Sequence, residues 1–449
     1  MPDSAATLRI SRRAADRLRA GHLWVYRTDI EPNQPEPGPG ALVTLTDNRA
    51  IPLGSALYST ASTLAARLVS KTAALTREDY LADLRTRIHA ALDLRRELAP
   101  INDDDNAHRL IFAEADNLPG IVADRYNDLV LIQLLTQGTA QHDVRDVLRE
   151  TLRDALSPNR ANLTVWERPD PRIRELEQLD PPPAGPLFTT FDSTAPDGLS
   201  FRSTAEETFS HQLLAPATTH FRLNGLHFAY DATAGQKTGA FLDQRLNYAA
   251  TARHVAASSR REKALDICTY HGGFALHLAQ VCAQVTGVDA SRAALVAADQ
   301  NLGLNPQLHA EVDWIEADAF DYLRHLDDKK TTRTSSRKTT RTSSEAYDAI
   351  VLDPPAFAKS KRATEGALRG YKELNLRALR LLAPGGTLVT CSCSHHVPLA
   401  DFTGIVASAA ADAGRRVQIL ATRGAAPDHP EILTLPETAY LKCLICRVD

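Results

Sequence analysis

The sequence predicts an α/β fold. A mostly parallel sheet is expected in residues 201–449, a small β-rich domain in 1–75, and a central α+β domain with its linker in 76–200. Three observations support this. Between Ala264 and Asp353, short apolar runs alternate with helical runs, the pattern of βαβ units. Each of those apolar runs ends in an acid. Residues 1–75 instead hold short apolar runs broken by Pro- and Gly-rich turns.

Composition excludes several classes. The chain has 449 residues, 43% apolar and 24% charged, which suits two or three ordinary domains. No run nears the ~18 apolar residues of a membrane span, and the N-terminus has no apolar signal region. Six cysteines in such a length are no disulfide framework and point to a reducing cytosol, so a cytoplasmic location is expected. The net charge of −4 does not advertise a nucleic-acid binder. Residues 1–75, however, hold nine Lys/Arg against six Asp/Glu, 9 − 6 = +3.

Taken in order, Leu8-Arg9-Ile10 precedes a basic segment with Arg12, Arg13, Arg17 and Arg19. Gly21-His22-Leu23-Trp24-Val25-Tyr26, a Pro/Gly loop at 31–40 and strands at 41–46, 52–57 and 64–68 follow. Thr76-Arg77-Glu78-Asp79 is a capping-box-like helix start, and Leu81, Leu84, Ile88 and Leu92 share one helical face. Strands are predicted within 109–120, at 121–126 and at 130–135, turning at Pro119-Gly120 and Asn127-Asp128. A helix at 143–156 and a strand at 163–167 complete the central domain. Residues 169–200, rich in Pro, Asp, Ser and Thr, predict a loose connection.

The strand 226–230 opens the last domain, followed by Gly235-Gln236-Lys237-Thr238-Gly239-Ala240-Phe241-Leu242-Asp243-Gln244-Arg245. Next comes Ala264-Leu265-Asp266-Ile267-Cys268-Thr269-Tyr270-His271-Gly272-Gly273-Phe274, which predicts strand, tight turn and helix. A second strand ends at Asp289, 289 − 266 = 23 residues on. That is near the ~20-residue spacing from a Gly-rich turn to an acid that accepts ribose hydroxyls. The glycines do not form G-x-G-x-x-G, which argues against NAD or FAD. These two motifs alone leave open an ordinary βαβ unit whose acids merely end strands. Two more strands end at Asp318 and Asp353, the latter in Asp353-Pro354-Pro355, so four acids sit where open α/β sheets bind ligands.

With these residues the domain resembles a Rossmann-like class I S-adenosylmethionine-dependent methyltransferase, a mostly parallel seven-stranded sheet. The resemblance implies S-adenosyl-L-methionine as cofactor. Asp266 would lie by its methionine part, Asp289 on the ribose, Asp318 on the adenine amino group and Asp353 at the site of methyl transfer. Tyr270, Gly272, Gly273, Phe274, Ala290, Ala319 and Pro354 would line the same site. Residues 1–75 resemble a PUA domain, an RNA-binding β-barrel, which would place Arg12, Arg13 and His22 on phosphates. Gly-Gln-Lys-Thr-Gly with Leu-Asp-Gln-Arg, Tyr-His-Gly-Gly-Phe, Asp-Pro-Pro-Ala-Phe and Ser-Cys-Ser resemble the large-subunit 23S ribosomal RNA methyltransferase I family over nearly the whole chain. In that family Lys237, Thr238, Gly239, Phe241, Asp243, Gln244 and Arg245 would close over the cofactor. The basic stretch with Lys359 and Lys361 adds further RNA candidates. Departures exist: Ala356 stands where lysine is common, Leu23 where proline is, and His271 where threonine is.

The chemistry expected is transfer to carbon 5 of a cytosine. That carbon becomes nucleophilic only when a group adds to carbon 6, and a thiolate attacks and leaves well. Cys391 and Cys393 lie on a Thr-Cys-Ser-Cys-Ser segment near Asp353, which could hold the ring nitrogen. Strand periodicity cannot choose between them. The position nearer the carboxyl end, and the family's Ser-Cys-Ser, favour Cys393. An amino-group methyltransferase would carry an aromatic directly after Asp-Pro-Pro, whereas here Ala356 intervenes before Phe357. Action on another RNA base or on protein, and a non-catalytic RNA-binding protein that holds the cofactor, are the alternatives. Ribosomal RNA is the expected partner, the sequence leaves room for a homodimer, and no membrane or metal is called for. Cys443 and Cys446, a lone C-x-x-C in an apolar strand, read as packing residues. The tandem Lys-Thr-Thr-Arg-Thr-Ser-Ser at 330–336 and 338–344 predicts a disordered surface loop over 329–344.

Overall fold

A computed structural model of the chain describes residues 6–157, 162–168, 170–190, 217–232, 239–336, 346–357 and 364–449, without the side chains of 330–336. It forms two units, Met1–Phe221 with Tyr230–Gly239 and Pro427–Thr438, and Arg222–Ala229 with Ala240–Ala426 and Ala439–Asp449.

In the first unit, β1 (Thr7–Arg9), α1 (Arg12–Arg19), β2 (Trp24–Val25), β3 (Leu42–Thr46), β4 (Pro52–Tyr58) and β5 (Ala66–Ser70) give a sheet of order β1-β3-β4-β5-β2. Only β1 and β3 pair in parallel. The basic segment is helical because Ser11 Oγ accepts the Ala14 N–H, leaving Ala14, Ala15 and Leu18 to face Ile10, Val43 and Leu45. The next elements are α2 (Arg77–Leu98), β6 (Ala107–Phe112), β7 (Ile121–Tyr126), β8 (Leu129–Leu134), α3 (His142–Leu156), β9 (Thr164–Glu167), α4 (Pro171–Glu177) and β10 (Phe188–Thr189). Their strands order as β10-β9-β8-β7-β6. Thr76 caps α2 by accepting the Asp79 N–H at 3.1 Å, as its sequence predicts.

Helix α4 corrects the expectation of a loose connection over 169–200. Asp170 accepts the N–H groups of Arg172 and Ile173, and Pro171 occupies the first helical position, where its missing N–H costs nothing. Residues 191–200 lie outside the described residues.

A hairpin of β11 (Thr218–Leu223) and β12 (Leu226–Asp231) turns on Asn224 and Gly225, both at positive φ, as tight hairpins require. The second unit then runs α5 (Arg245–Ala256), β13 (Lys263–Ile267), α6 (Gly273–Ala279), β14 (Gln284–Asp289), α7 (Arg292–Gly303), β15 (Glu311–Glu316), α8 (Ala319–Ser336) and β16 (Tyr347–Leu352). It ends with α9 (Thr364–Leu381), β17 (Leu382–Ser392), α10 (Leu399–Ala413), β18 (Val417–Arg423) and β19 (Lys442–Val448). The seven strands order as β15-β14-β13-β16-β17-β19-β18, parallel except for β19, which runs against both neighbours. From β13 the chain moves out to β14 and β15, then returns to the far side of β13 as β16. Between β13 and β16 lies the switch point where open sheets bind ligands.

One further expectation changes. The first repeat is the end of α8 rather than a loop: Lys, Thr, Arg and Ser simply continue a helix begun by apolar residues, and 337–344 lie outside the described residues. Pro427–Thr438 groups with the first unit, although the sequence assigns 201–449 to one domain. The cause is polar. Arg95 donates to the Asp428 carbonyl, the Arg109 N–H to the Asp428 carboxylate, and Thr434 to the Gly21 carbonyl.

Candidate active site

The site is built at the carboxyl ends of β13–β17. Asp266 is fully buried; Thr269 Oγ1 donates to its Oδ2 at 2.6 Å, while Oδ1 has no hydrogen-bond partner among the described residues. Burial pushes its carboxyl up to about 7. The turn that follows holds Cys268 and Tyr270 at φ +64° and +51°, a left-handed conformation costly for non-glycine residues and common at ligand sites. Gly272, at φ +81°, caps α6. A Cβ on Gly273 would come within 2.6 Å of the Tyr248 ring, so only glycine fits between that ring and the turn. Tyr248 is buried edge-on to Phe274, with ring centroids 4.7 Å apart.

Asp289 Oδ2 accepts the Tyr270 N–H at 3.0 Å and Oδ1 the Ser291 N–H at 2.9 Å, which ties the second strand end to the turn. Ala290 beside it is exposed. Asp318 Oδ1 accepts the N–H groups of Phe320 and Asp321, so it caps α8 just ahead of Ala319. All four strand-end acids act on one group: burial first, then Asp289, Asp353, Asp266 and Asp318, raise the Cys268 thiol far above its usual range. The sequence's four separate acids are therefore one cluster. Asp353 is half-buried. Enclosure, then repulsion from Asp243 and Asp266, pushes its carboxyl up to about 8, with the Gln244 side chain pulling the other way.

The segment after Gly239 supplies one wall. Tyr440 donates to Asp243, Asn247 donates to Gln244, Arg245 is buried at the start of α5, and Tyr248 donates to the Phe241 carbonyl. The exposed Phe241 ring meets Tyr270 edge-on, and Tyr270 stacks on His271 with centroids 3.7 Å apart. Gly239 belongs to the first unit, at φ +104° against Tyr230. Lys237, Thr238, Lys359 and Lys361 lie outside the described residues.

The two cysteines separate. Cys391 is fully buried inside β17, in register with Cys443, and burial raises its thiol well above the usual range. Cys393 lies just past the end of β17, half-buried, with Sγ 3.8 Å from the Pro354 carbonyl oxygen. Periodicity could not distinguish them, because the strand stops between them. In the first unit Arg12 and Arg13 are exposed. His22 is enclosed, its Nδ1 accepting the Trp24 N–H and its Nε2 3.8 Å from Glu437.

Sequence reasoning missed Trp314 and Tyr248. A Cβ on Gly287 would lie 2.4 Å from the Trp314 ring, which also approaches Gly272. A glycine inside a strand signals such a close neighbour, so Gly287 was the available clue.

Comparison with known proteins fits this geometry. The S-adenosylmethionine-dependent methyltransferase family model matches residues 202–447, and a PUA-like domain model matches residues 8–71. Ribosomal RNA large subunit methyltransferase I of Citrobacter koseri is 33% identical over 95% of both chains. Its counterpart in Shewanella amazonensis is 35% identical, again over 95% of both. This chain belongs to that methyltransferase family. A solved S-adenosylmethionine-dependent methyltransferase from Streptococcus mutans shares the fold at TM-score 0.71 and 18% identity, covering 98% of this chain and all of that one. SMU.776, a methyltransferase solved with S-adenosylhomocysteine, gives TM-score 0.72 at 18% identity over the same shares.

The cofactor of this methyltransferase is S-adenosylmethionine, and the residues suit it. The Gly272-Gly273 turn packs tightly on Trp314 and Tyr248 at the end of β13, and the acid cluster beside it suits a sulfonium cation. Asp266 has a buried oxygen open to a donor. No described helix is long and apolar enough to cross a membrane.

Proposed function

We infer that this methyltransferase modifies carbon 5 of a cytosine in 23S ribosomal RNA through a covalent bond between Cys393 and carbon 6. The observation that carries the reading is the placement of Cys393 beside Asp353-Pro354, with Cys391 sequestered against Cys443. When bound, S-adenosylmethionine supplies an electrophilic methyl group on a sulfonium. Cys393 adds to C6 and pushes the electron pair to C5. Asp353, whose proton is held up to about 8, donates to the ring nitrogen and offsets the charge that develops there. Once C5 carries the methyl group, its proton is lost to solvent base, the double bond re-forms, the thiolate leaves and the ring nitrogen returns its proton to Asp353. Asp266 holds the methionine part, Asp289 the ribose and Asp318 the adenine, with Lys237 and Thr238 closing over the cofactor.

The Phe357 ring supports this against amino-group methylation, since it packs on Phe320 and Tyr371 instead of standing free to stack on a base. We place RNA on the PUA-like domain through Arg12 and Arg13, with Lys359 and Lys361 as further contacts. His22 is the weaker candidate, given its enclosure. The reaction belongs in the cytoplasm, where ribosomal RNA is assembled.

RNA carrying 5-fluorocytidine tests the reading, because no C5 proton remains to be lost and the adduct stays. Peptide mapping should find it on Cys393. Cys393→Ala should end methyl transfer while keeping cofactor binding, and Cys391→Ala should cost far less. Attachment at Cys391, or an active Cys393→Ala variant, would overturn the assignment.

A further inference from the structure

The methyl-transfer reading leaves one buried cation unused. Lys442 opens β19, a strand that continues with Cys, Leu, Ile and Cys. A lysine in such a strand ordinarily snorkels its head to water. This one is 6% exposed, and its ammonium is inside. It stands in register with Ser392, the last residue of β17. Its Nζ donates to the carbonyl oxygens of Ser394 and Tyr440, each at 2.7 Å. Ser394 directly follows Cys393, and the Tyr440 hydroxyl donates to Asp243. One ammonium thus ties the nucleophile's turn to the segment that carries the Asp243 partner.

Burying an ammonium is costly, and two carbonyls satisfy only two of its three donors. Burial draws its pKa down to about 8, while the Cys393 sulfur acts in the opposite direction, so the two groups feel each other. Among the described residues, the titratable groups around Cys393 include Tyr371 on α9, Asp353 ahead of the Pro354 whose carbonyl meets the sulfur, and His395 two residues along the chain. Tyr371 is bonded to Ser394 Oγ at 2.8 Å. Asp353 as carboxylate disfavours a thiolate, whereas Lys442 favours one.

We propose that Lys442 is a positioning residue for methyl transfer, its ammonium pinning the Cys393-Ser394 turn and stabilising the Cys393 thiolate. This rests on Cys393 as the nucleophile. When the thiol ionises, its proton passes to solvent. The sulfur lone pair forms the bond to C6, and when the C5 proton is lost that pair returns to sulfur beside the ammonium.

The test is peptide-resolved alkylation of the full chain by iodoacetamide from pH 6 to 10, alongside turnover on ribosomal RNA. In the wild type, Cys393 should reach half-maximal reactivity below the roughly 8.5 of a free cysteine thiol. Lys442→Met should raise the Cys393 midpoint by about one unit or more and lower kcat by about tenfold. KM for RNA and cofactor affinity should hold, and Lys442→Arg should recover most of the loss. A wild-type Cys393 midpoint at or above the roughly 8.5 of a free cysteine would overturn the role of Lys442, and that measurement needs no variant to fold. An unchanged midpoint and kcat in a folded Lys442→Met protein would do the same. Wild-type enzyme that forms no Cys393 adduct with 5-fluorocytidine RNA would instead remove the nucleophile on which the proposal rests.

Discussion

Two clusters of charge, one in each unit, are arranged in opposite ways. In the first, Arg95 and Asp116 are 1% and 3% exposed and meet at 2.5 Å. Arg109 grips Asp124 through two bonds, and Arg145 grips Glu167 the same way. In the second, buried Asp266, half-buried Asp289 and Asp353 and exposed Asp318 converge on Cys268, and among the described residues none has an ion-pair partner. Matched charge is complete in the free protein and serves the fold. Unmatched acids around a glycine turn are complete only when a cation arrives, and they serve a ligand.

The largest expected effect would break this comparison if it failed. Asp116→Asn leaves Arg95 buried and unpaired, which should cost about 3–5 kcal/mol of stability with cofactor affinity unchanged. Asp266→Asn should do the reverse, weakening cofactor binding while leaving the free protein as stable or more so. Denaturant unfolding and calorimetry on both variants check this. An Asp266→Asn protein that is destabilised yet binds normally would make the acid cluster structural.

Asp289 sharpens the contrast, because it does both jobs. Asp289→Ala should lose a charge-assisted acceptor for the ribose, about 1.5–3 kcal/mol of cofactor binding. It also frees the N–H of Tyr270, a residue already at positive φ. Asp289→Asn keeps one carbonyl acceptor and should fall between. Unchanged affinity in a folded Ala variant would take Asp289 out of the site.

How far the sequence foresaw this arrangement follows from the range of each signal. Strand, turn and helix from Ala264 to Asp353 are local patterns, and the structure places them as expected. Thr76 and the Asn127-Asp128 turn are local too. The α4 helix was missed although Asp170-Pro171 is a local signal, because the surrounding Pro-rich composition masked it. Convergence of the four acids spans 353 − 266 = 87 residues, the register of Cys391 with Cys443 spans 443 − 391 = 52, and the Arg95 bond to Asp428 spans 428 − 95 = 333, all beyond the reach of a local pattern. Lys442 was visible as a charge in an apolar strand, but its two carbonyl acceptors come from the tertiary fold.

The acid cluster also predicts a pH dependence. The carboxyls of Asp266 and Asp353 are raised to about 7 and about 8. A raised acid stabilises the folded state below its unfolded pKa, and that contribution is lost as pH rises through the folded value. The free protein should therefore weaken from about pH 4 up to about pH 8 and level off above that. A sulfonium favours the Asp266 carboxylate, while Asp353 keeps its proton for the ring nitrogen, so S-adenosylmethionine should bind more tightly as pH rises toward 7 and release up to one proton, at up to about 1.4 kcal/mol per pH unit. S-adenosylhomocysteine, with a neutral sulfur, should show a flatter profile. Calorimetry in buffers of different ionisation enthalpy counts the protons, and identical profiles for the two would deny the cluster its cation.

The smallest effect lies in the first unit, where charge faces water instead of a ligand pocket. Arg12 is 81% exposed and only 3.8 Å from Asp16, a pairing too loose and too solvated to matter much for stability. Arg13 is exposed beside it. Neither holds the fold, so any value they have must come from a partner. If both meet phosphates, replacing both with Ala should leave melting temperature and cofactor affinity unchanged. RNA affinity should fall modestly at low salt, and the slope of log affinity against log salt should become shallower by about 0.7–0.9 for each arginine. Binding titrations across a salt series measure the slope directly. A slope that does not move would assign these arginines to solvent and shift the search for the RNA surface elsewhere in the chain.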